Sequence, residues 1–297
     1  MENTAKLSSF GSLMKGAVND FKARWKLALA FGGLSILVNF ALGVIVGAAA
    51  LLSMNSAALG IAVGAIFGII AMLAAYLVSG ALTYSMKDGS GVKESLGYIW
   101  KNFRSYLLVV AVMGVVILTG VMALVIPGLI LSVTLGFATF VFMDEGKKGF
   151  SSLARSKEYV KGYFWPVVGK FCLYVLVIIG TLIVTSLLMG VLSLISETVG
   201  NLFQSAVNIF IVTPLSICFA WRLYKDLKSK KPELAEAPIA EKTKWMKVMF
   251  GIGLALIAAA IVIFSIFGSK IMTEILSEVD SAATDDMPAI DINSLNQ

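Results

Sequence analysis

The sequence predicts an all-α, polytopic helical membrane protein: a six-span core of three hairpins with basic interfacial helices, plus an appended seventh span. Three observations predict it. Apolar residues make up 58% of the chain and charged residues 14%, far from the balance of a soluble globular domain. Seven apolar stretches follow one another, at 27–52, 57–86, 106–126, 129–143, 166–192, 202–224 and 246–268; since the bilayer core offers backbone groups no water, segments of about 20 residues there must be helices. With each stretch read as a span, all of the 24 Lys and Arg residues except Lys270 share one side.

Those basic residues fall in 1–26, 87–105, 144–170 and 222–247, while the connections 53–56, 127–128 and 193–201 carry none. Basic loops resist translocation, so the N-terminus is expected in the cytoplasm and the C-terminus outside. The first 26 residues show no small-residue cleavage site after an apolar core, so span 1 is expected to act as its own insertion signal. Trp25, Trp100, Trp165, Trp221 and Trp245 all lie at the expected inner ends of spans, where an indole satisfies both its apolar ring and its N–H.

In chain order, Leu7, Phe10, Leu13, Met14, Ala17, Phe21 and Trp25 recur at helical spacing with Lys15, Asn19 and Lys22 turned away, an amphipathic interfacial helix leading into span 1. Val92, Leu96, Ile99 and Phe103 form a shorter stripe before span 3, and Phe150, Leu153, Val160 and Phe164 a less regular one before span 5, interrupted by Lys157. Each contains a Ser-Leu pair and then an apolar-Lys pair, which suggests three copies of one unit. Their unequal spacing leaves insertion chemistry alone as the other account. The region 106–143 is too long for one span at about 1.5 Å per residue, so Pro127 and Gly128 are expected to reverse it, with a re-entrant hairpin as the alternative. Small residues four apart, Gly43 and Gly47 in span 1, Gly60, Gly64 and Gly68 in span 2, and Gly128, Ser132 and Gly136 in span 4, are expected to let helices pack closely, with a dimer seam as the sharper reading.

Residues 1–226 thus form the expected membrane core. Residues 227–244, rich in Lys, Glu, Ala and Pro without apolar periodicity, read as a flexible cytoplasmic linker. Residues 245–268 read as the seventh span, and 269–297 as an acidic outside tail, largely disordered.

The chain has no His, which removes the commonest general base and metal ligand. Cys172 and Cys218 both lie inside spans, where a thiol acts as a small apolar group. No phosphate loop, dinucleotide glycine pattern or paired carboxylates on one helix face occur. Ionisable groups at mid-membrane depth, the usual mark of a transporter, are missing from the expected spans. Asn39 and Asn208 are read as hydrogen-bonding between packed helices.

From Pro127 to Trp165 the segment PGLILSVTLGFATFVFMDEGKKGFSSLARSKEYVKGYFW resembles the central motif of a prokaryotic group of six-span proteins. That group includes the membrane domain attached to some glycerophosphodiester phosphodiesterases and related families of undefined function. The matching residues are Pro127, Gly128, Asp144, Glu145, Gly146, Ser156, Gly162, Phe164 and Trp165, with Pro214, Tyr224, Asp226 and Leu227 in and after span 6. Lys157 stands where the group commonly has Trp, and Thr134 where Arg is frequent. The resemblance covers the core but not the seventh span or tail, and it implies the membrane module of a prokaryotic cytoplasmic (inner) membrane without the enzyme. The Asp144-Glu145-Gly146 step is read first as structural, its carboxylates near the start of the next helix. A polar contact to the Tyr224–Leu227 end of span 6 is the other reading.

The function expected is a non-enzymatic scaffold or membrane-organising module, with no catalytic site, cofactor or metal; a permease or channel for a small solute is the alternative. Its lipid-interface residues are expected to be Lys15, Lys22, Arg24, Trp25, Trp100, Lys101, Lys161 and Trp165. The partners expected are membrane lipids with anionic headgroups, with a protein partner or a homodimer as further candidates, and no nucleic acid.

Overall fold

The computed structural model describes residues 6–52, 57–193, 196–234 and 243–285. Its elements are α1 (Phe10–Leu52), α2 (Ala57–Asp88), α3 (Val92–Lys101), α4 (Phe103–Ala123), α5 (Val125–Leu135), α6 (Ala138–Glu145), α7 (Phe150–Val160), α8 (Phe164–Ser193), α9 (Glu197–Val207), α10 (Thr213–Ser229) and α11 (Lys244–Asp285). A π-helical turn, Asn208–Val212, joins α9 to α10. Among the described residues every regular element is helical, and seven runs are long and apolar enough to cross a membrane.

The helices meet most fully at one end. There the N-terminal half of α1 packs on α10, α6 on α7, and α3 on the end of α2. Large side chains such as Phe31, Phe137, Phe142, Phe219, Leu153 and Leu223 are fully buried in that end, whereas Leu37, Phe40, Ile66, Ile126, Val184 and Leu187 toward the other end are exposed. Apolar side chains gain nothing by leaving lipid for a neighbouring helix, so close packing needs polar or steric reasons, and these are concentrated at the first end. It carries the basic segments: Arg24 Nη1 donates to Met86 O, Lys87 Nζ to Met143 O at 3.2 Å, and Lys231 Nζ to Glu158 O at 2.7 Å and Lys161 O at 2.5 Å.

Several sequence expectations are corrected here. The reversal after α4 falls at Leu124 (φ −165°, ψ 145°), not at Pro127-Gly128. Pro127 sits in the first turn of α5, where its missing N–H has no helical partner to lose. Gly128 serves contact rather than turning, since a Cβ there would lie 2.3 Å from Val121 Cγ2 and 2.8 Å from Val121 Cα. A Cβ on Gly120 would likewise come 3.2 Å from Gly128 Cα, so the two glycines let α4 and α5 touch backbone to backbone. A Cβ at Gly43, Gly47, Gly64 or Gly68 would meet nothing within 4 Å. Among the described residues those glycines therefore meet no neighbouring helix, and the surroundings of Gly60 lie outside the described residues. Gly136 caps α5 at its break from α6, and a Cβ there would press within 2.8 Å of Ser132 O.

The third amphipathic segment is no surface helix either. α7 buries Ser152, Leu153, Ala154, Arg155, Ser156, Tyr159 and Val160, and Ser156 Oγ donates to Thr134 O of α5 at 2.8 Å. Asn39 and Asn208 bond back to their own helices, at Ser35 O (2.7 Å) and Gln204 O (3.2 Å), rather than across helices. The expected linker is fastened at its start by Lys231, and 235–242 lies outside the described residues. α11 continues to Asp285, past the expected end at 268; Ile271, Ile275 and Val279 repeat at helical spacing there. The remainder of the expected tail, 286–297, lies outside the described residues.

Candidate functional site at the basic end

Helix α6 ends on Asp144 and Glu145 because Gly146, at φ 65°, takes the left-handed conformation and returns its N–H to Phe142 O at 3.1 Å. This aims both carboxylates at α7 and α10. Tyr159 donates to Glu145 Oε1 at 2.6 Å, and Tyr224 donates to the same oxygen at 3.0 Å and approaches Asp144 Oδ2 at 3.2 Å. Lys228 Nζ reaches Asp144 Oδ2 at 2.5 Å and Glu145 Oε1 at 3.5 Å, and Arg155 Nε lies 3.6 Å from Glu145 Oε2. The contact to the end of span 6, the less favoured reading of the sequence, is the one formed.

Two carboxylates thus face two cations and two phenols, a group that is neutral overall. Its depth is uneven: the side chains of Glu145 and Arg155 are 6% and 1% exposed, those of Asp144 and Lys228 22% and 29%. Aromatic rings wall it, with Phe140, Tyr159 and Trp221 each within 6.0 Å of the Tyr224 ring, centroid to centroid. In that low-dielectric setting charge-assisted bonds strengthen, and an unpaired member becomes costly. Burial first, and then the hydrogen bond to Glu145, push the Tyr159 phenol above its ordinary ionisation range.

A second clasp ties α1 to α10. Arg222 donates from Nε and Nη2 to the two oxygens of Asp20, at 2.5 and 2.7 Å, the bidentate form that fixes orientation as well as distance. Ser8 gives its N–H and its hydroxyl to Asp226, both at 2.8 Å. Asp226 and Tyr224, which the sequence motif picked out, so have partners 218 and 79 residues away.

Around this interior lies the expected interface set. Lys15, Lys22, Lys101 and Lys161 are exposed, as are Trp25, Trp100 and Trp165. Arg24 is half-buried, marks the kink of α1 (φ −118°, ψ 17°) and is occupied by Met86 O. Trp221 is buried in the aromatic wall, not at an interface. Trp245 of α11 lies under Lys157, with Nζ 4.1 Å from the ring centroid, a cation–π contact that seats α11 on α7. Of the remaining motif residues, Gly162 takes φ 84° after α7, and Pro214 lies in the first turn of α10, one residue past its start at Thr213.

Arg155, Tyr159 and Lys228 were not singled out in the sequence, nor were Asp20, Arg222 and Ser8. The available signal was spacing: Arg155 and Tyr159 are four apart on α7, as are Tyr224 and Lys228 on α10, so each pair shares a helix face. Among the described residues no group of three His, Cys, Asp or Glu side chains is placed to hold a metal ion.

Fold and site together define a multi-pass helical membrane protein. No protein-family model, curated protein or solved structure matches the chain.

Proposed function

We propose that the protein is a non-enzymatic scaffold or membrane-organising module of a prokaryotic cytoplasmic membrane. In this reading α1–α10 make a six-span core of three hairpins, α11 is an added seventh span, the N-terminus is inside and the C-terminus outside. The basic, aromatic end then faces the cytoplasm and engages anionic lipid or a partner protein.

The observation that carries the reading is how charge is divided at that end. Asp20, Asp144, Glu145 and Asp226 turn inward to partners within the chain; Asp88, Glu94 and Glu233 stay exposed but are outnumbered by exposed basic residues, among them Lys15, Lys22, Lys101 and Lys161, which lie among exposed Trp side chains. Each basic residue beside an anionic leaflet contributes about 1 kcal/mol. The neutral Asp144-Glu145 group supports a holding role, since each carboxylate already faces a cation within the chain, Glu145 Oε2 through the Arg155 guanidinium at 3.6 Å with no hydrogen bond.

The test is reconstitution of the whole chain into vesicles of mixed phosphatidylcholine and phosphatidylglycerol, followed by analysis of the lipid extracted with it. Enrichment of the anionic lipid, falling as salt rises, is expected; a shell matching the bulk mixture refutes lipid engagement. The permease reading draws on one observation, the Gln204 Oε1 atom buried without a hydrogen-bond partner just before the π-helical turn. Solute-dependent swelling of the same vesicles, lost in Gln204→Leu, is the outcome that favours it.

A further inference from the structure

Where α3 gives way to α4, a notch of about 410 Å³ opens among Trp100, Lys101, Phe103, Arg104, Ser105 and Lys148. Lys148 comes from the turn between α6 and α7, whose Gly149 is pressed against α4: a Cβ there would stand 3.1 Å from Leu108 Cδ2. Two distant segments therefore bring three cations to one opening, and no carboxylate lines it. Lys101, Arg104 and Lys148 are exposed and form no ion pair among the described residues. Trp100 is exposed and stacks on Phe103, ring centroids 6.2 Å apart. The Asn102 amide turns back to Tyr98 O at 3.0 Å and gives α4 no side-chain cap.

We infer that this notch is a discrete site for the phosphate of an anionic glycerophospholipid. The inference rests on the lipid-facing reading above and narrows it to one place. A phosphate needs several donors and a net positive field, which Lys101, Arg104, Lys148 and the Ser105 hydroxyl supply together. The uncapped first turn of α4 adds to that field. The notch lies at the start of an apolar helix and beside an exposed indole, the depth at which lipid headgroups sit. This position commits the site to membrane lipid over a soluble phosphate ester. Charge ranks the lipids: phosphatidic acid, whose monoester carries the most negative charge, binds best, phosphatidylglycerol next, and zwitterionic phosphatidylcholine least.

The test titrates the purified full chain in detergent with each lipid and counts bound lipid by native mass spectrometry. Three doubly substituted chains are compared: Arg104→Gln with Lys148→Gln at the notch, Lys15→Gln with Lys22→Gln on α1, and the conservative Arg104→Lys with Lys148→Arg. The notch pair is expected to lose about tenfold or more in phosphatidic acid affinity and the α1 pair, which contributes only diffuse attraction, a clearly smaller factor, while the conservative pair keeps its affinity and phosphatidylcholine binding does not change. Glycerol 3-phosphate is expected not to displace the lipid. Equal losses in the notch and α1 pairs overturn the discrete site yet leave diffuse lipid attraction standing. No preference of the unsubstituted chain for anionic lipid overturns both. Displacement by glycerol 3-phosphate reassigns the notch to soluble phosphate esters and overturns the lipid assignment. If the notch pair fails to fold, Lys148→Gln alone, on an exposed turn, gives the same comparison.

Discussion

Replacing Glu145 by Gln removes the most deeply buried carboxylate of the α6–α7–α10 group while keeping its shape. The amide oxygen still accepts from Tyr159 and Tyr224, so the change isolates charge from hydrogen bonding. What is lost is the counter-charge to Arg155, 3.6 Å away and 1% exposed, and to Lys228, 3.5 Å away. Removing one partner of a buried pair costs about 3 to 5 kcal/mol, and because Arg155 keeps other interactions the lower end, about 3 kcal/mol, is expected. Asp144→Asn is the internal comparison. Its pair with Lys228 is shorter, at 2.5 Å, but both side chains are more than a fifth exposed, and solvent screening reduces such a pair to about 1 kcal/mol or less. Thermal unfolding of the full chain in detergent, followed by helical circular dichroism, should rank the unsubstituted chain first, Asp144→Asn close behind and Glu145→Gln well below. If Glu145→Gln unfolds with or after Asp144→Asn, burial does not govern this network and the reasoning fails.

Three further outcomes are expected. Gly128→Ala should destabilise by about 1 to 3 kcal/mol, the usual cost of overpacking, because its Cβ would strike the Val121 backbone at 2.8 Å; Gly64→Ala, with open space beside it, should be neutral or gain up to about 1 kcal/mol from helix propensity, and reversed unfolding temperatures would contradict both. Tyr159 keeps its proton in the fold above the ordinary phenol value of 10.0, so its contribution is full below pH 10 and declines as pH rises further and the unfolded chain ionises. Unfolding temperature should therefore fall less steeply above that point in Tyr159→Phe, and parallel slopes would count against the assignment. With single cysteines in place of Ser90 and Ile290, in a chain lacking Cys172 and Cys218, an impermeant reagent applied to intact cells should label the cysteine at 290, and the one at 90 only after the cells are opened; labelling at 90 or protection at 290 in intact cells would overturn the proposed orientation.

The class of this protein and the stations of its helices are legible in the chain alone. Hydropathy summed over a whole segment needs no knowledge of neighbours, so 27–52, 57–86 and 166–192 were legible as apolar helices. So was the stop at Gly146, because a left-handed exit is a local property. Which face of each helix turns inward was decided only in three dimensions. Lipid and protein interior are equally apolar, so Gly64, beside open space, and Gly128, against Val121, look alike in sequence. Trp221 and Trp165 likewise sit at similar stations, yet one joins the aromatic wall around Tyr224 and the other faces outward. α7 reads as an interfacial helix from its apolar stripe of Phe150, Leu153, Val160 and Phe164, broken by Lys157, which leaves Arg155 and Tyr159 as polar residues that water would ordinarily hold at the surface. Tertiary contact with Glu145 supplied what water would have given, and a buried charge is stable only with such a partner. That partner lies on another helix, where sequence spacing carries no information about it.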